Sequence, residues 1–181
     1  LTWIVLLMIS RFHLFGRAVV TACALLAGVA AANPVETTLA NGLRVIVHED
    51  HRAPTVVAMV WYRAGSIDEV NGTTGVAHVL EHMMFKGTPT RSAEDVNREF
   101  DDMGAHYNAY TSEENTVYYA AVLPEYQDRA TALLGDILRP SLRTEDFDTE
   151  KQVILEEIQM YQDQPPYGAD DRVKALHFGA H

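Results

Sequence analysis

The sequence predicts an α+β fold, an antiparallel or mixed sheet packed against helices, on three observations. Segments 43–50 (LRVIVHED) and 55–65 (TVVAMVWYRAG) are rich in β-branched and aromatic residues. Four later stretches carry helix start and stop signals. Strands and helices mix without the strict alternation that builds a doubly wound sheet. With 181 residues, 48% of them hydrophobic, the chain can bury a sizeable core in one domain.

Residues 1–32 read as a secretory signal peptide cleaved after Ala32: Arg11 and Arg17, then the apolar run AVVTACALLAGVA, then small residues. A membrane anchor is the alternative, since a second apolar run, LTWIVLLMI, precedes Arg11. Neither run reaches the roughly 18–20 residues of a spanning helix. A start at Met8 would give a conventional basic leader. Export follows from this reading, to the periplasm if the source is a Gram-negative bacterium. Cys23, the one cysteine, lies in the leader, so the mature chain offers neither disulfide nor thiolate, and a metal would have to be held by nitrogen and oxygen. Acidic residues outnumber basic ones 25 to 14, a formal charge of −11, which argues against nucleic acid as a partner.

From residue 33 the elements follow in order. The two β-rich segments, joined through HRAP, are expected to form a strand pair with the second strand largely buried. SIDEVNGTTG is loop material leading into a helix from about Gly75 to Lys86, which Gly87 is suited to stop. Ser92 caps a second helix to about Met103, and AHYNAYTSEENTVYYAAVL alternates as two strands around SEEN. Pro124 opens a third helix to about Arg139, and Thr144 a fourth to about Gln164. The abrupt stop at HFGAH reads as the end of a fragment rather than of a domain.

The chemistry concentrates in GVAHVLEHMMFKGT, residues 75–88. At about 100° per residue, His78, Glu81 and His82 occupy one arc of the helix, while Val76, Leu80 and Met83 cluster opposite. Histidines at i and i+4 can bring two ring nitrogens to one zinc, and a glutamate beside the second of them can handle the proton of a water on that metal. A solvated helix face is the bland alternative, and a third ligand decides between them. In the fourth helix, Phe147, Ile154, Ile158 and Tyr161 define an apolar arc. Glu156 points away from it, whereas Glu150 and Glu157 lie about 20° apart on its inner flank. An inward carboxylate costs free energy unless a cation or strong hydrogen bonds compensate it. Two histidines and one carboxylate leave a fourth position for water, the pattern of a catalytic zinc.

GVAHVLEHMMFKGT followed by EKQVILEE resembles the pitrilysin or insulinase-type (M16) family of inverzincin metallopeptidases, which includes mitochondrial processing peptidase subunits. The family pattern is HxxEH followed at long range by a glutamate, and 74 residues separate His82 from Glu157. The similarity extends through RAGSIDEVNGTTG and GAHYNAYTSEENTVYY, so that 33–181 is expected to be the N-terminal catalytic domain of such a peptidase, cut short at its C-terminal end. The resemblance implies one Zn²⁺ per site held by His78, His82 and Glu157, Glu81 as general base, and Glu150 as a support to the ligands. It also implies that Asn108, Ala109, Tyr110 and Thr111 pair with an extended peptide substrate by main-chain hydrogen bonds. A second homologous domain or a partner subunit would supply an arginine and tyrosine pair. A non-catalytic peptide-binding or assembly subunit is the alternative function, and a metal-storage domain a weaker third. His48, His51, His106, His177 and His181 lack ligand-spaced neighbours and are assigned surface or structural roles, as are Met83, Met84, Phe85, Trp61 and Tyr62. Lys86 is assigned no more than a favourable charge at a helix C-terminus.

Overall fold

A computed structural model of the chain describes residues 3–7 and 33–179. The leader expectation therefore falls mostly outside the described residues. One piece of it, Trp3–Leu7, forms strand β1. No helix among the described residues is long and apolar enough to cross a membrane.

Strands β2 (Val35–Thr38), β3 (Arg44–Val47), β4 (Val56–Tyr62), β5 (His106–Thr111) and β6 (Thr116–Val122) complete a six-stranded sheet of order β2-β3-β1-β4-β6-β5. β2 runs antiparallel to β3, with Val35 opposite Val47. The expected direct pairing of β3 with β4 does not occur. β1 lies between them, parallel to β3 (Val5 opposite Val45) and antiparallel to β4 (Val5 opposite Val60). The physical reason lies in the connection: a linker as long as residues 48–55 need not form a tight hairpin, so the two strands can sit one strand apart and accept the β-branched WIVLL segment.

The chain divides into two compact units. In the first, β4 alternates as a half-buried strand should, with Val56, Ala58 and Val60 all at most 6% exposed. Its core is completed by Val117, Tyr118, Ala120 and Val122 of β6, by Phe100 of helix α2 (Ala93–Asp102), and by Ala130, Leu133 and Leu134 of helix α3 (Gln127–Ile137). Phe100 stacks on Tyr107 at 4.2 Å between ring centroids, and Tyr62 meets Tyr118 edge-on at 5.9 Å. Ser92 caps α2 as expected: its hydroxyl accepts from the Asp95 amide at 3.1 Å, and the Asp95 carboxylate accepts from the Ser92 amide at 3.1 Å.

The second unit is built on helices α1 (Val76–Met83) and α4 (Thr144–Asp163), which pack on each other, with α5 (Tyr167–Phe178) packed on α4. α5 was not foreseen, because its apolar residues are scattered: Val173, Leu176 and Phe178 are each more than 60% exposed. α1 ends earlier than expected. Beyond Met83 the bonds tighten to the i→i+3 type, from Phe85 to His82 and from Lys86 to Met83. Gly87 follows with φ +104, and a Cβ there would stand 2.8 Å from the Arg91 carbonyl oxygen. The end of α1 is then tied to α4: Arg143, just before α4, donates to the Lys86 carbonyl at 2.9 Å, and the Ser141 amide donates to the Gly87 carbonyl at 3.0 Å. Asp136 gathers Thr88 at 2.9 Å and Arg91 at 2.6 Å. Burial raises its carboxyl pKa, but these two partners prevail and hold it below the usual range.

Candidate metal centre

The face that α1 buries is not the one its apolar pattern suggested. Val76 and Leu80 are 56% and 39% exposed, and of that stripe Met83 alone is buried. α1 instead turns its histidine face toward α4. On α4 the expected apolar arc is likewise open, with Phe147, Ile158 and Tyr161 exposed. The inward stripe is Glu150, Ile154 and Glu157, at helical spacings of four and three. Polar groups win these positions because each side supplies what the other lacks, ring nitrogens against carboxylates, so that neither is left buried and unpaired.

His78 and His82 stand edge to face one turn apart, with Nε2 atoms 3.2 Å from each other. Glu157 Oε2 lies 3.5 Å from His78 Nε2 and 3.6 Å from His82 Nε2. Ligand atoms held at 2.0–2.1 Å around one tetrahedral zinc are separated by about 3.3–3.4 Å, so the three observed separations fit the edges of that polyhedron. Among the described residues this trio is the one group of three or more His, Cys, Asp or Glu side chains close enough to share a metal. A donor set of two imidazoles and a carboxylate suits zinc.

Glu150 is 4% exposed and accepts two bonds: His82 Nδ1 at 3.0 Å from one oxygen, and Lys86 Nζ at 2.7 Å from the other. Burial pushes its carboxyl pKa up, but the bonds from Lys86 and His82 outweigh burial and hold it below the ordinary range. An ionised Glu150 can only accept, so His82 must carry its proton on Nδ1. In a neutral ring so held, Nε2 is the nitrogen with the lone pair, and it faces His78 and Glu157, the tautomer a metal requires. Reading Lys86 as a simple helix-end charge missed its partner. The signal was available: a carboxylate turned inward needs a cation, and Lys86 is four residues beyond His82.

Glu81, on the same arc, accepts a hydrogen bond from Thr111 Oγ1 at 2.5 Å. Of the other strand residues singled out, Asn108 is exposed and its side-chain oxygen accepts from the Ala109 amide, Ala109 is 8% exposed, and Tyr110 projects outward. Among the described residues β5 is an edge strand, with a neighbour on one side. Glu156 is exposed, as its place on the wheel predicts. His51 pairs with Glu49 at 3.1 Å, and His48, His106 and His177 belong to no metal-sized group. His181 lies outside the described residues.

The loop before α1 does more than link. Both Glu69 oxygens accept from the helix start, Gly75 and Ala77 amides each at 2.8 Å, a negative cap on the positive end of the helix. The amides of Ser66 and Ile67 donate to the carbonyls of Ser112 and Glu113, and Thr116 Oγ1 donates to the Ala64 carbonyl. Gly65, buried, sits so close that a Cβ would fall 2.3 Å from the Ser112 carbonyl oxygen. Its backbone is extended (φ −158°), so the constraint is space, not conformation. Gly65→Ala should therefore lower stability by about 1–3 kcal/mol through overpacking against backbone that cannot retreat. Thermal unfolding would measure this, and an unchanged midpoint would show that the loop yields.

Residues 44–179 match the family model described as "Insulinase (Peptidase family M16)". An uncharacterized zinc protease of Bacillus subtilis is 39% identical over 145 residues, covering 80% of this chain and 36% of the relative. A probable mitochondrial-processing peptidase beta subunit of Arabidopsis thaliana is 43% identical over 143 residues, covering 78% of this chain and 27% of that protein. The crystal structure of a protease from Helicobacter pylori superposes with a TM-score of 0.70 at 30% identity, over 76% of this chain and 33% of that one. The chain thus spans about a third of the length of the curated relatives it matches.

Proposed function

Because the chain belongs to the insulinase family of peptidases, family M16, we propose that it is the metal-holding part of a zinc-dependent endopeptidase acting on peptides or extended polypeptides. The observation that carries this reading is the trio His78, His82 and Glu157, whose ligand atoms are spaced as zinc ligands are, with the His82 tautomer fixed from behind by Glu150. Zinc held by His78, His82 and Glu157 would supply Lewis acidity toward a scissile carbonyl and toward water. Glu81 would take a proton from the attacking water and return it to the departing amine. Lys86 keeps Glu150 ionised, and Glu150 keeps His82 Nδ1 protonated. The open side of β5 accepts the substrate as an added strand through main-chain groups of Asn108 to Thr111, with exposed Tyr110 free to meet a substrate side chain.

A second homologous domain or a partner subunit completes the site with an arginine and tyrosine pair, in keeping with the share of its relatives that this chain spans. The leader directs the protein out of the cytoplasm. The test is cleavage of a quenched fluorescent peptide library by the full-length mature gene product. Dialysis against a chelator should abolish hydrolysis, and about one zinc per chain should restore it. Hydrolysis indifferent to metal removal would overturn the proposal.

A further inference from the structure

Thr111 stands apart from the other residues of β5 in what its side chain touches. Its Oγ1 donates to Glu81 Oε2 at 2.5 Å, within the range of a hydroxyl bonded to a carboxylate. We propose that Thr111 is a positioning residue for Glu81, its hydroxyl fixing the carboxylate plane so that the other oxygen faces the proton to be moved. This rests on the reading of Glu81 as general base, and it is distinct from any main-chain contact that β5 makes with a peptide.

The physical need is clear from the side chain. A glutamate's terminal torsion is broad and roughly two-fold, so an untethered carboxylate samples many planes. A single strong donor on one oxygen removes that freedom, and among the described residues no other hydrogen bond to the Glu81 carboxylate is seen. The donor itself is held rigidly. Thr111 precedes a turn closed by the Ser112 amide on the Asn115 carbonyl at 2.8 Å and by the Asn115 amide on Ser112 Oγ at 3.1 Å. The turn is fastened to the Gly65 loop through Ser112 and Glu113, and the same loop caps α1 through Glu69. Donor and acceptor are thus mounted on one hydrogen-bonded frame, a requirement for holding a reacting group to a few tenths of an ångström.

The test compares Thr111→Val, which keeps the shape and removes the hydroxyl, with Thr111→Ser, which restores it, both in the full-length protein. Thr111→Val is expected to lower kcat about tenfold or more, with KM and zinc content unchanged. Thr111→Ser is expected to recover most of the loss. A second readout needs no activity: in the metal-free protein, the Glu81 carboxylate band, identified by infrared difference against Glu81→Gln, should shift in the Val variant and return in the Ser variant. Val kinetics within twofold of wild type, a change in KM alone, or an unmoved band would each overturn the role of Thr111 while leaving the peptidase reading intact. A wild-type protein whose hydrolysis ignores zinc would overturn the peptidase reading itself, and with it any reaction for Thr111 to serve.

Discussion

Glu81→Gln in the full-length protein is expected to bind zinc at wild-type stoichiometry and to lose hydrolysis by about 10²–10⁴-fold, the usual contribution of a positioned general base. The amide has the volume of the carboxylate, and its oxygen can still accept from Thr111, so neither α1 nor the strand end is disturbed. What disappears is the capacity to take a proton. Because Glu81 is not among the three ligand residues, metal content and activity should separate cleanly. Zinc analysis beside steady-state kinetics makes the measurement. Cleavage by this variant at a rate close to wild type would remove Glu81 from the reaction.

Glu157→Gln should do the reverse, acting first on the metal. A neutral amide oxygen in place of the carboxylate leaves two imidazoles without the one anionic ligand of the trio. Zinc affinity should fall by more than the 10–100-fold typical of losing an outer support such as Glu150. Each tenfold loss is about 1.4 kcal/mol, and it appears as a smaller rise in unfolding temperature on adding zinc. Glu156→Gln is the matched control, one residue away and exposed, and should change neither affinity nor rate. Equal zinc titrations for the two variants would show that the site does not depend on Glu157.

Much of this arrangement was legible in the sequence because it depends on local periodicity. The helices and strands between Val56 and Asp163 fall within a few residues of their expected bounds, since Ser92, Pro124 and the 116–122 alternation act on neighbours. Glu156 and Glu157 separate on a helical wheel for the same reason. What escaped was non-local. The partner of β3 is chosen by sheet assembly rather than by the intervening HRAP linker, and Lys86 is matched to Glu150 across two helices. The inward face of α1 misleads outright, because hydrophobic patterning assumes that a helix buries its apolar side. Here two polar faces complement each other and Val76 and Leu80 are left outside.

The place of β1 sets a condition on any cleavage after Ala32. Removal of residues 1–32 would take out a strand that has neighbours on both sides, parallel to one and antiparallel to the other. Precursor and processed chain could not then share the same sheet. The vacated slot would present two facing rows of unpaired amides and carbonyls in the interior of a sheet, where such groups are costly to leave bare. A chain lacking residues 1–32 would keep the order β2-β3-β1-β4-β6-β5 only with another strand in that slot.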